Sequence, residues 1–433
     1  MNANLPTGRL GRFAKLARLG ASTGASLALS KDGKAAAALA ADVLGELRGL
    51  AAKIGQMASY VDGMVPEPHR EAYEKALGAL QANALTSPPG AVRAVIEAEL
   101  GSPVGELFES FDDEPFASAS IGQVHRATFA GRAVAVKVQH PGIERAIRSD
   151  LDNASMIKSF VGTLAPRALE VDSIFAEVRA RFEEELDYER EAANLDAFAS
   201  IHAGDPRIVI PAVVRERSRT RVLTTELVEG SRLDEVRGLP EADRRAYAET
   251  LWRFVFKGLL VHKLFNADPH PGNFVFLPEG RVAFLDFGCT QAIDVEHNRA
   301  ARVMHRAALD GDEARFLQGV KVFLGTRGGP YEERVTASVR TMFAPLFQDT
   351  FRITPAFVAG IIDGMRDLKM LALSKKSGFV PMKPGMVFLN RLQFGFYSVL
   401  ARLDVEASYR GVEERILSAS PAPAVTDAGL RAG

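Results

Sequence analysis

The sequence predicts an α+β chain with two lobes, a smaller lobe that contains strands and a larger one that is mainly helical. The smaller lobe is indicated by residues 133–139, where valines alternate by twos with small residues and a lysine, as on the two faces of a strand. Helical patterning resumes at about residue 292 and continues to about 418, with breaks at 324–330 and 380–385, which indicates the larger lobe. Residues 266–288 lie before this helical region and are rich in Asp, Asn and Gly, so we expect the functional site there.

The composition is that of an ordinary globular protein. Of the 433 residues, 47% are hydrophobic and 25% are charged, and 53 Lys+Arg against 54 Asp+Glu give a net charge of -1. This balance provides no overall basic surface, so nucleic acid is not an expected partner. Because Cys289 is the single cysteine, a disulfide within the chain and a cysteine-based zinc site are both excluded, and a reducing, cytoplasmic setting fits.

The first 105 residues are predicted to form a mobile segment, 1–34, and a helical extension, 35–105. Apolar residues recur at steps of three and four through the first part of the extension, which predicts an amphipathic helix. Lys53 and Gln56 lie one turn apart on it, and on spacing alone they form an ordinary solvated edge. We expect neither a spanning helix nor a secretory signal, so any membrane contact is expected to be peripheral.

Residues 106–230 are predicted to form the smaller lobe, with helices inserted at about 143–160 and 172–199. An Ala/Ser-rich segment leads through a turn at Gly131-Arg132 into the strand that carries Lys137. Lys137 shares its face with alanines, and such a lysine can reach into a cleft where the small side chain of Ala135 would leave room for an adenine ring. Such a lysine is more often a simple edge residue, but the motifs that follow favour a functional one.

Two further strands, at 207–210 and 221–228, are predicted to complete the smaller lobe. The second strand runs into an extended hinge that contains Glu226 and Val228, where the backbone could hydrogen-bond a purine edge. Residues 231–418 are predicted to form the larger lobe, and its first long helix, 244–265, leads into the polar site. The last residues, 419–433, are rich in Ala and Pro and are predicted to be disordered.

Asp268 and Asn273 lie five residues apart, and Asp286 follows in an Asp-Phe-Gly after a short apolar strand. Phosphoryl transfer requires one carboxylate near the attacking group, and a carboxylate and an amide oxygen to hold Mg²⁺ against the phosphates. The catalytic loop and the Asp-Phe-Gly of protein kinases have this pattern, and Val-Ala-Val-Lys is their nucleotide-lysine pattern. The sequence therefore predicts a nucleotide site in which Asp268 is catalytic and Asn273 and Asp286 hold the metal.

Four blocks resemble one known family, the AarF/UbiB atypical kinases, which are protein-kinase-like proteins linked to coenzyme Q. The blocks are Lys-Ile-Gly-Gln at 53–56, Ser-Ile-Gly-Gln-Val-His at 120–125, Glu-Leu-Asp-Tyr-Glu-Arg-Glu-Ala at 185–192, and Ala-Asp-Pro-His-Pro-Gly-Asn at 267–273 with the Asp-Phe-Gly at 286–288. They occur in the family's order and span about half of the chain. The resemblance implies a bilobal kinase-like fold with an N-terminal helical extension and helices inserted in the small lobe.

The resemblance also assigns roles that spacing leaves open. It implies that Glu185 braces Lys137, that the helix of Lys53 folds over the site with Glu191 near the lysine, and that an Ala/Ser-rich loop replaces the glycine-rich phosphate loop. The expected catalytic residues are Asp268, Lys137 and Lys53. The expected nucleotide-binding residues are Ala117, Ser118, Ala119, Ser120, Gln123, Ala135, Lys137, Glu185, Glu191, Glu226 and Val228.

The implied function is that of an atypical kinase or ATPase that binds ATP or ADP with Mg²⁺ and supports ubiquinone or related isoprenoid-lipid metabolism. The alternative is a nucleotide-gated scaffold or lipid-handling module with little turnover. No Ala-Pro-Glu follows Gly288, so the activation segment that docks peptides is missing and an ordinary peptide kinase is not expected. Expected partners are the nucleotide, an isoprenoid lipid or quinone precursor, lipid-biosynthesis proteins, and the inner face of a membrane contacted from the cytoplasm.

Overall fold

The computed structural model describes residues 86–119, 121–148, 179–180, 183–372, 380 and 386–419. The predicted mobile segment 1–34, the part of the helical extension that carries Lys53 and Gln56, Ser120, and the tail from residue 420 lie outside the described residues. The chain divides into two compact units. The first unit comprises Met1–Tyr188 and Arg215–Thr224, and the second comprises Glu189–Val214 and Thr225–Gly433.

The elements follow one another in chain order. The earlier ones are α1 (Pro89–Leu100), α2 (Val104–Leu107), β1 (Ser110–Phe111), β2 (Ala117–Ser118), β3 (Gly122–Phe129), β4 (Arg132–Gln139), α3 (Tyr188–Ile201), β5 (Ile208–Val209), β6 (Val222–Glu226) and α4 (Leu233–Val236). The later ones are α5 (Glu241–Lys257), β7 (Leu264–Asn266), β8 (Phe274–Leu277), β9 (Arg281–Phe284), β10 (Thr290–Ala292), α6 (Val295–Asp310), α7 (Glu313–Leu324), α8 (Pro330–Met342), β11 (Phe351–Arg352), α9 (Pro355–Ala372), α10 (Met386–Leu403), β12 (Glu406–Ala407) and α11 (Tyr409–Ala419). The α+β class predicted from the sequence is confirmed.

The first unit contains a sheet with the strand order β1-β3-β4-β6, and β2 also pairs with β3. The predicted strand that carries Lys137 is confirmed as β4, and its valines at 134, 136 and 138 are buried. The turn before it lies one residue earlier than predicted, because Ala130 and Gly131 have φ values of 51° and 71° and Arg132 already pairs with Phe129. Two successive positive φ values match the right-handed twist of the strands they join.

The single helix predicted at 172–199 is wrong, because the helix is interrupted before Tyr188, where α3 begins. At the break the backbone bonds to other segments of the first unit. The Leu186 carbonyl accepts a hydrogen bond from the Gln139 side chain at 2.8 Å, and the Tyr188 N–H donates to the Thr220 carbonyl at 2.9 Å. These tertiary hydrogen bonds replace those of a continuous helix.

The second unit contains a small sheet with the order β5-β9-β8 and a large group of helices. The predicted helix at 244–265 is confirmed in type, but it spans 241–257 and is followed by a π-helical turn, Gly258–His262. Lys263 then takes φ of 60°, which ends the helical run and starts β7. The buried Trp252 of α5 packs against Phe256, Tyr397 and Tyr409, so α5 forms the centre of this unit's core.

The helical region predicted after residue 292 is confirmed as α6 to α11, and the predicted break at 324–330 separates α7, which ends at Leu324, from α8, which begins at Pro330. The interruption between α6 and α7 was not predicted. Gly311 has φ of 69° at the end of α6, and the side chain of Asp312 accepts the Arg315 N–H at the start of α7. These are an ordinary helix stop and an ordinary helix start. Strands β11 and β12 pair within this region and were not predicted. Within the described part of the chain, no helix is long and apolar enough to cross a membrane.

Candidate functional site

Two short strands of the second unit bring Asp268 and Asp286 to the same place. Strand β7 precedes Asp268 and β10 follows the Asp-Phe-Gly, and the two pair antiparallel with Asn266 opposite Thr290. The Ala267 N–H extends this pairing by donating to the Cys289 carbonyl at 2.8 Å. Neither strand was predicted, because three-residue strands carry too little pattern. This strand pairing brings Asp268 and Asp286 close together, although they are 18 positions apart in the sequence.

Asn266 connects the two aspartates through its side-chain amide. Its Oδ1 accepts the Asp268 N–H at 3.0 Å, and its Nδ2 donates to the Asp286 carbonyl at 2.6 Å. Both groups of the amide are therefore used, and each fixes the backbone of one aspartate. No sequence pattern indicated this bridge.

Asn273, which the sequence assigns to the same candidate site, contacts Asp268. Its Nδ2 donates to the Asp268 carbonyl at 3.1 Å and lies 3.3 Å from the Asp268 carboxylate oxygen Oδ2. The Leu285 N–H donates to the Asn273 carbonyl at 3.0 Å, which ties Asn273 to the strand that delivers Asp286. The structure thus brings Asn266, Asp268, Asn273 and Asp286 together, and these four residues are called the polar loop cluster.

Asp286 is held in a tight turn beside a buried glutamate. Its Oδ1 accepts the Gly288 N–H at 3.0 Å. A Cβ placed on Gly288 would lie 3.4 Å from Asp286 Oδ1 and 3.7 Å from Glu191 Oε2, so both carboxylates face this glycine. Glu191 lies on α3 and is only 4% exposed. The sequence analysis placed Glu191 near Lys53, which is outside the described residues, and did not anticipate its place beside the Asp-Phe-Gly.

Helix α3 is fixed to the Asp-Phe-Gly by a second side chain. Asn194 lies one turn after Glu191 and donates its amide to the Phe287 carbonyl at 2.9 Å. The Phe287 ring packs on Phe198, with the ring centroids 4.7 Å apart. Spacing along the helix could have linked Asn194 and Phe198 to Glu191, but nothing in the sequence pointed to their partner.

The tip of the loop between Asp268 and Asn273 is held by three groups that the sequence analysis did not assign. His270 Nδ1 accepts the Gly272 N–H at 3.0 Å, and Arg232 donates to the Gly272 carbonyl at 3.2 Å. Gly395 of α10 lies so close that a Cβ there would be 2.6 Å from Cγ of Pro269. The loop therefore has a fixed conformation that is supported on one side by a helix.

The polar loop cluster has the donor set that suits Mg²⁺. Magnesium prefers hard oxygen ligands, and the carboxylate of Asp286 and the amide oxygen of Asn273 are of that kind. Because Nδ2 of Asn273 is directed at Asp268, its amide oxygen faces away from that carboxylate. The half-buried Asp268 carboxylate could orient a hydroxyl group or a water molecule.

In the first unit, Lys137 lies on the half-buried face of β4 with Ala135, as predicted. Its ammonium is 5.0 Å from the centroid of the Tyr188 ring. Ala117, Ser118 and Ala119 form one arm of a hairpin with β3, in which Ser118 pairs with Gln123 and the Ala119 N–H donates to the Gly122 carbonyl at 2.9 Å. The described part of the Ala/Ser-rich segment is therefore one arm of a β-hairpin.

Gln123 is buried, and its amide makes contacts inside the first unit. Its Oε1 accepts the Ser87 N–H at 2.7 Å, and its Nε2 lies 2.9 Å from Nε2 of His125. His125 Nδ1 in turn lies 2.8 Å from the Asp112 carbonyl, and burial lowers the pKa of this histidine. The structure thus gives Gln123 a structural role, and its predicted contact with the nucleotide stays a prediction.

The remaining predicted residues are placed in their own surroundings. Glu185 of the first unit is half-buried, and it immediately precedes the break before α3. Glu226 ends β6, and its N–H donates to the Ala212 carbonyl at 2.9 Å. Val228 packs on the buried cluster of Val275, Leu277 and Ala283 in the second unit. The extended segment predicted after Glu226 has no regular secondary structure.

The fold and the polar loop cluster define a protein-kinase-like chain, and comparison with known sequences identifies its class. The profile of the ABC1 atypical kinase-like domain matches residues 79–320, which is more than half of the chain. The chain therefore belongs to the ABC1 (AarF) atypical kinase family, and the resemblance drawn from the four sequence blocks is confirmed.

Relatives in several organisms support this assignment. The chain is 32% identical to the mitochondrial atypical kinase coq-8 of Caenorhabditis elegans over 378 residues, covering 86% of this chain and 49% of that protein. It is 35% identical to the mitochondrial atypical kinase COQ8B of Rattus norvegicus over 275 residues, covering 63% of this chain and 51% of the relative. The chain thus spans about half the length of these curated relatives.

A solved structure supports the fold. The Rv3197–erythromycin complex from Mycobacterium tuberculosis matches with a TM-score of 0.63 at 29% sequence identity, covering 88% of this chain and 95% of that one.

Proposed function

We propose that the chain is an ATP-dependent enzyme, either an ATPase or a kinase of small molecules, and that its polar loop cluster binds Mg-ATP. The observation that carries the proposal is the side-chain contact between Asn273 and Asp268, together with the Asn266 bridge that links Asp268 to Asp286. A single hydrogen-bonded network thus holds a candidate base and two candidate metal ligands. Phosphoryl transfer depends mainly on such positioning and on electrostatic stabilisation.

Each residue of the cluster has a proposed role. Asn273 and Asp286 would hold Mg²⁺, which when bound neutralises charge on the phosphate oxygens. Asp268 orients the attacking hydroxyl or water and accepts its proton. Asn266 keeps the two aspartates in place without contacting the nucleotide. Glu191 adds a second, buried carboxyl group beside the Asp-Phe-Gly.

The first unit supplies the other proposed nucleotide contacts. Lys137 is proposed to contact the α- and β-phosphates, with Glu185 bracing it, and Ala135 to leave room for the adenine. Ala117, Ser118 and Ala119 of the hairpin are proposed, together with Ser120, to lie at the phosphates in place of glycines. The roles expected from the sequence are also proposed for Glu226, Val228, Gln123 and Lys53.

The acceptor is proposed to be water or a small molecule rather than a peptide. After Gly288 the chain enters β10 almost at once, and α6 begins at Val295. This connection is too short to form a peptide-docking activation segment. Generic peptide substrates should therefore be poor acceptors, and stoichiometric phosphorylation of such a substrate in trans would contradict this part of the proposal.

The substrate class is proposed to be an isoprenoid lipid or a quinone precursor, in support of ubiquinone metabolism. The support is membership of the family whose relatives include the mitochondrial kinases coq-8 and COQ8B. Membrane contact would be peripheral, from the cytoplasmic side, and weakened by salt because surface charges are screened.

A second candidate is a nucleotide-gated scaffold or lipid-handling module with little turnover. The observation that favours it is the match to a related chain whose structure is a complex with erythromycin, a ligand that is not a nucleotide. Retention of Asp268, Asn273 and Asp286 favours the enzyme.

The test is ATP turnover by the purified protein, with Asp286→Asn as the site variant. Losing a carboxylate ligand should lower Mg²⁺-dependent turnover at least about a hundredfold with little change in thermal stability, because metal charge stabilisation is worth several kcal/mol. Asp349→Asn, at a fully exposed aspartate, is the matched control and should retain normal turnover. Unchanged turnover in Asp286→Asn would refute the assignment of the site.

Anionic vesicles and a phenolic quinone precursor separate the two candidates. For the enzyme, we expect these additions to raise turnover and the rise to be lost in Asp286→Asn. For the scaffold, turnover would remain at the level of Asp286→Asn while vesicles still co-sediment the protein at low salt. Flat turnover with no co-sedimentation would remove the lipid link altogether.

A further inference from the structure

Tyr188 is a buried residue of the first unit that contacts two of the elements proposed to bind the nucleotide. Its side chain is 1% exposed. The Lys137 ammonium lies 5.0 Å from the centroid of its ring. At the other end of the side chain, a Cβ placed on Gly122 would lie 2.9 Å from the Tyr188 hydroxyl oxygen. One side chain thus touches both the nucleotide lysine and the end of the Ala/Ser-rich hairpin.

The backbone beneath this ring is fixed to the strand of Lys137. Gln139 lies two residues after Lys137 on β4 and donates its amide to the Leu186 carbonyl at 2.8 Å and to the Thr220 carbonyl at 3.3 Å. The Tyr188 N–H also donates to Thr220, at 2.9 Å. Because the strand and the segment before α3 share these hydrogen bonds, the ring is held in register with Lys137.

The hairpin is equally close to the ring. A Cβ on Gly122 would lie 2.3 Å from the Val138 carbonyl oxygen, so β3 approaches β4 as closely as a backbone without a side chain allows. Gly122 also closes the hairpin turn through its hydrogen bond with Ala119. The hydroxyl end of Tyr188 therefore abuts the base of the turn whose other residues are proposed to lie at the phosphates.

The face of an aromatic ring attracts a cation, and the attraction increases when the pair is shielded from water. The Tyr188 ring is buried, and Lys137 is half-buried above it. The ring therefore stabilises the charged form of Lys137 in one place, while the hydroxyl end limits movement of the hairpin. The two ends of one side chain carry out two separable tasks.

We propose that Tyr188 is a positioning residue whose ring holds the Lys137 ammonium and whose hydroxyl end holds the hairpin at Gly122. The lysine and the phosphate loop are then placed by the same side chain. This inference rests on the proposed function for its consequence in nucleotide binding. The pairing of Tyr188 with Lys137 can be measured without any nucleotide.

The first experiment compares Tyr188→Phe with Tyr188→Leu in the full chain. Two properties are measured: the dissociation constant for Mg-ATP, and the rate at which an amine-directed reagent labels Lys137 without nucleotide, read by mass spectrometry. Phe keeps the ring face, so labelling of Lys137 should stay within about twofold of wild type. Leu removes the ring, so Lys137 should be labelled faster and Mg-ATP should bind about tenfold more weakly.

A second experiment does not require the Tyr188→Leu variant to fold normally. Phenylalanines with one, two and three ring fluorines at position 188 keep nearly the same shape while weakening the negative face of the ring stepwise. The labelling rate of Lys137 should rise with each fluorine. The same series at Tyr409, a buried tyrosine that packs on Trp252, is the matched control and should leave Lys137 labelling unchanged.

The outcomes separate this inference from the proposed function. A graded rise in Lys137 labelling supports the positioning role even where wild type fails to bind Mg-ATP, a failure that would overturn the proposed function alone. Labelling that is flat across the fluorinated series, with intact folding, overturns the role of Tyr188. Weaker Mg-ATP binding with flat labelling also overturns the role of the ring at Lys137, because binding would then depend on Tyr188 only through the hairpin.

Discussion

A hydrogen bond of 2.6 Å joins the side-chain amide of Asn266 to the backbone carbonyl of Asp286. The other end of the same amide accepts the Asp268 N–H, so Asn266 determines the separation of two aspartates that come from different loops. The uncharged side chain of Asn266 therefore holds the candidate base Asp268 and the candidate metal ligand Asp286 at a fixed separation.

Asn266→Ala should lower both stability and turnover. Two hydrogen bonds of about 1 kcal/mol each are lost, so the free energy of unfolding should fall by about 1–3 kcal/mol. Small misplacements of catalytic groups cost much in rate, so turnover per folded molecule should fall at least about tenfold. Asn298→Ala is the matched control, since the side-chain amide of Asn298 likewise donates to backbone carbonyls, those of Leu259 and Leu260. It should lower stability alone, and an equal loss of turnover there would argue against a specific role for Asn266.

Gly122→Ala should destabilise the first unit. The added methyl group would meet the Val138 carbonyl oxygen at 2.3 Å, and a paired backbone cannot move aside as a flexible side chain can. We expect a loss of about 1–3 kcal/mol, the usual cost of overpacking, measured by urea unfolding. Gly90→Ala, where nothing lies within 4 Å of the new methyl, is the control and should be neutral or slightly stabilising. Equal unfolding midpoints for the two variants would contradict the close approach.

Glu413→Ala should destabilise the second unit strongly. Glu413 is fully buried on α11 and accepts hydrogen bonds from Trp252 Nε1 at 2.9 Å and from His305 Nδ1 at 2.6 Å. Removing it leaves two buried partners without their acceptor, a change that costs about 3–5 kcal/mol when a buried pair is broken. Thermal unfolding measures the loss, and Glu414→Ala, at a neighbouring position whose side chain is 45% exposed and pairs with Arg410, is the control. A loss below about 1 kcal/mol would show that the three side chains rearrange at little cost.

His202→Phe should flatten the dependence of stability on acid pH. Burial lowers the pKa of His202 to about 3, and among the described residues neither ring nitrogen has a hydrogen-bond partner. The unfolded chain, with an ordinary pKa near 6.5, therefore binds a proton that the folded chain does not. This stability is fully present above pH 6.5 and is lost by up to about 1.4 kcal/mol per pH unit as pH falls toward 3.

Phenylalanine should preserve the stacking of this position on Phe254, whose ring centroid is 4.9 Å from that of His202. Urea unfolding at pH 8 and pH 5 tests the prediction. The variant should gain on wild type at pH 5 relative to pH 8, and parallel changes in the two proteins would assign the acid sensitivity to other groups.

Sequence patterns predicted the parts of the fold that repeat over several residues. The strand β4 and the helix α5 were predicted with the right element types, because burial on one side leaves a readable period. The pairing of β7 with β10 and the break before Tyr188 were missed, since both depend on hydrogen bonds to distant segments. Local pattern contains no information about such partners.

For the candidate site too, some residues were predicted from the sequence and others were not. The spacing from Asp268 to Asn273 identified two residues that do make contact. The position of Glu191 beside Gly288 could not be predicted from the sequence. Every second residue of 185–191 is acidic, and each was a candidate for a contact in the site. Gly395 gave no signal at all, because a glycine inside a helix looks the same whether it faces solvent or a loop.

The contact at Gly395 makes the loop of the candidate site depend on a helix outside the matched family domain. The family profile ends at residue 320, yet the loop of Asp268 rests against helix α10 through Pro269 and Gly395. A fragment cut at the profile's boundary would keep every residue of the polar loop cluster and lose the surface that supports it. The segment recognised by sequence similarity is therefore shorter than the segment that supports the loop. Transferring residues 79–320 alone into another chain would carry over the candidate metal ligands without the helix that supports their loop.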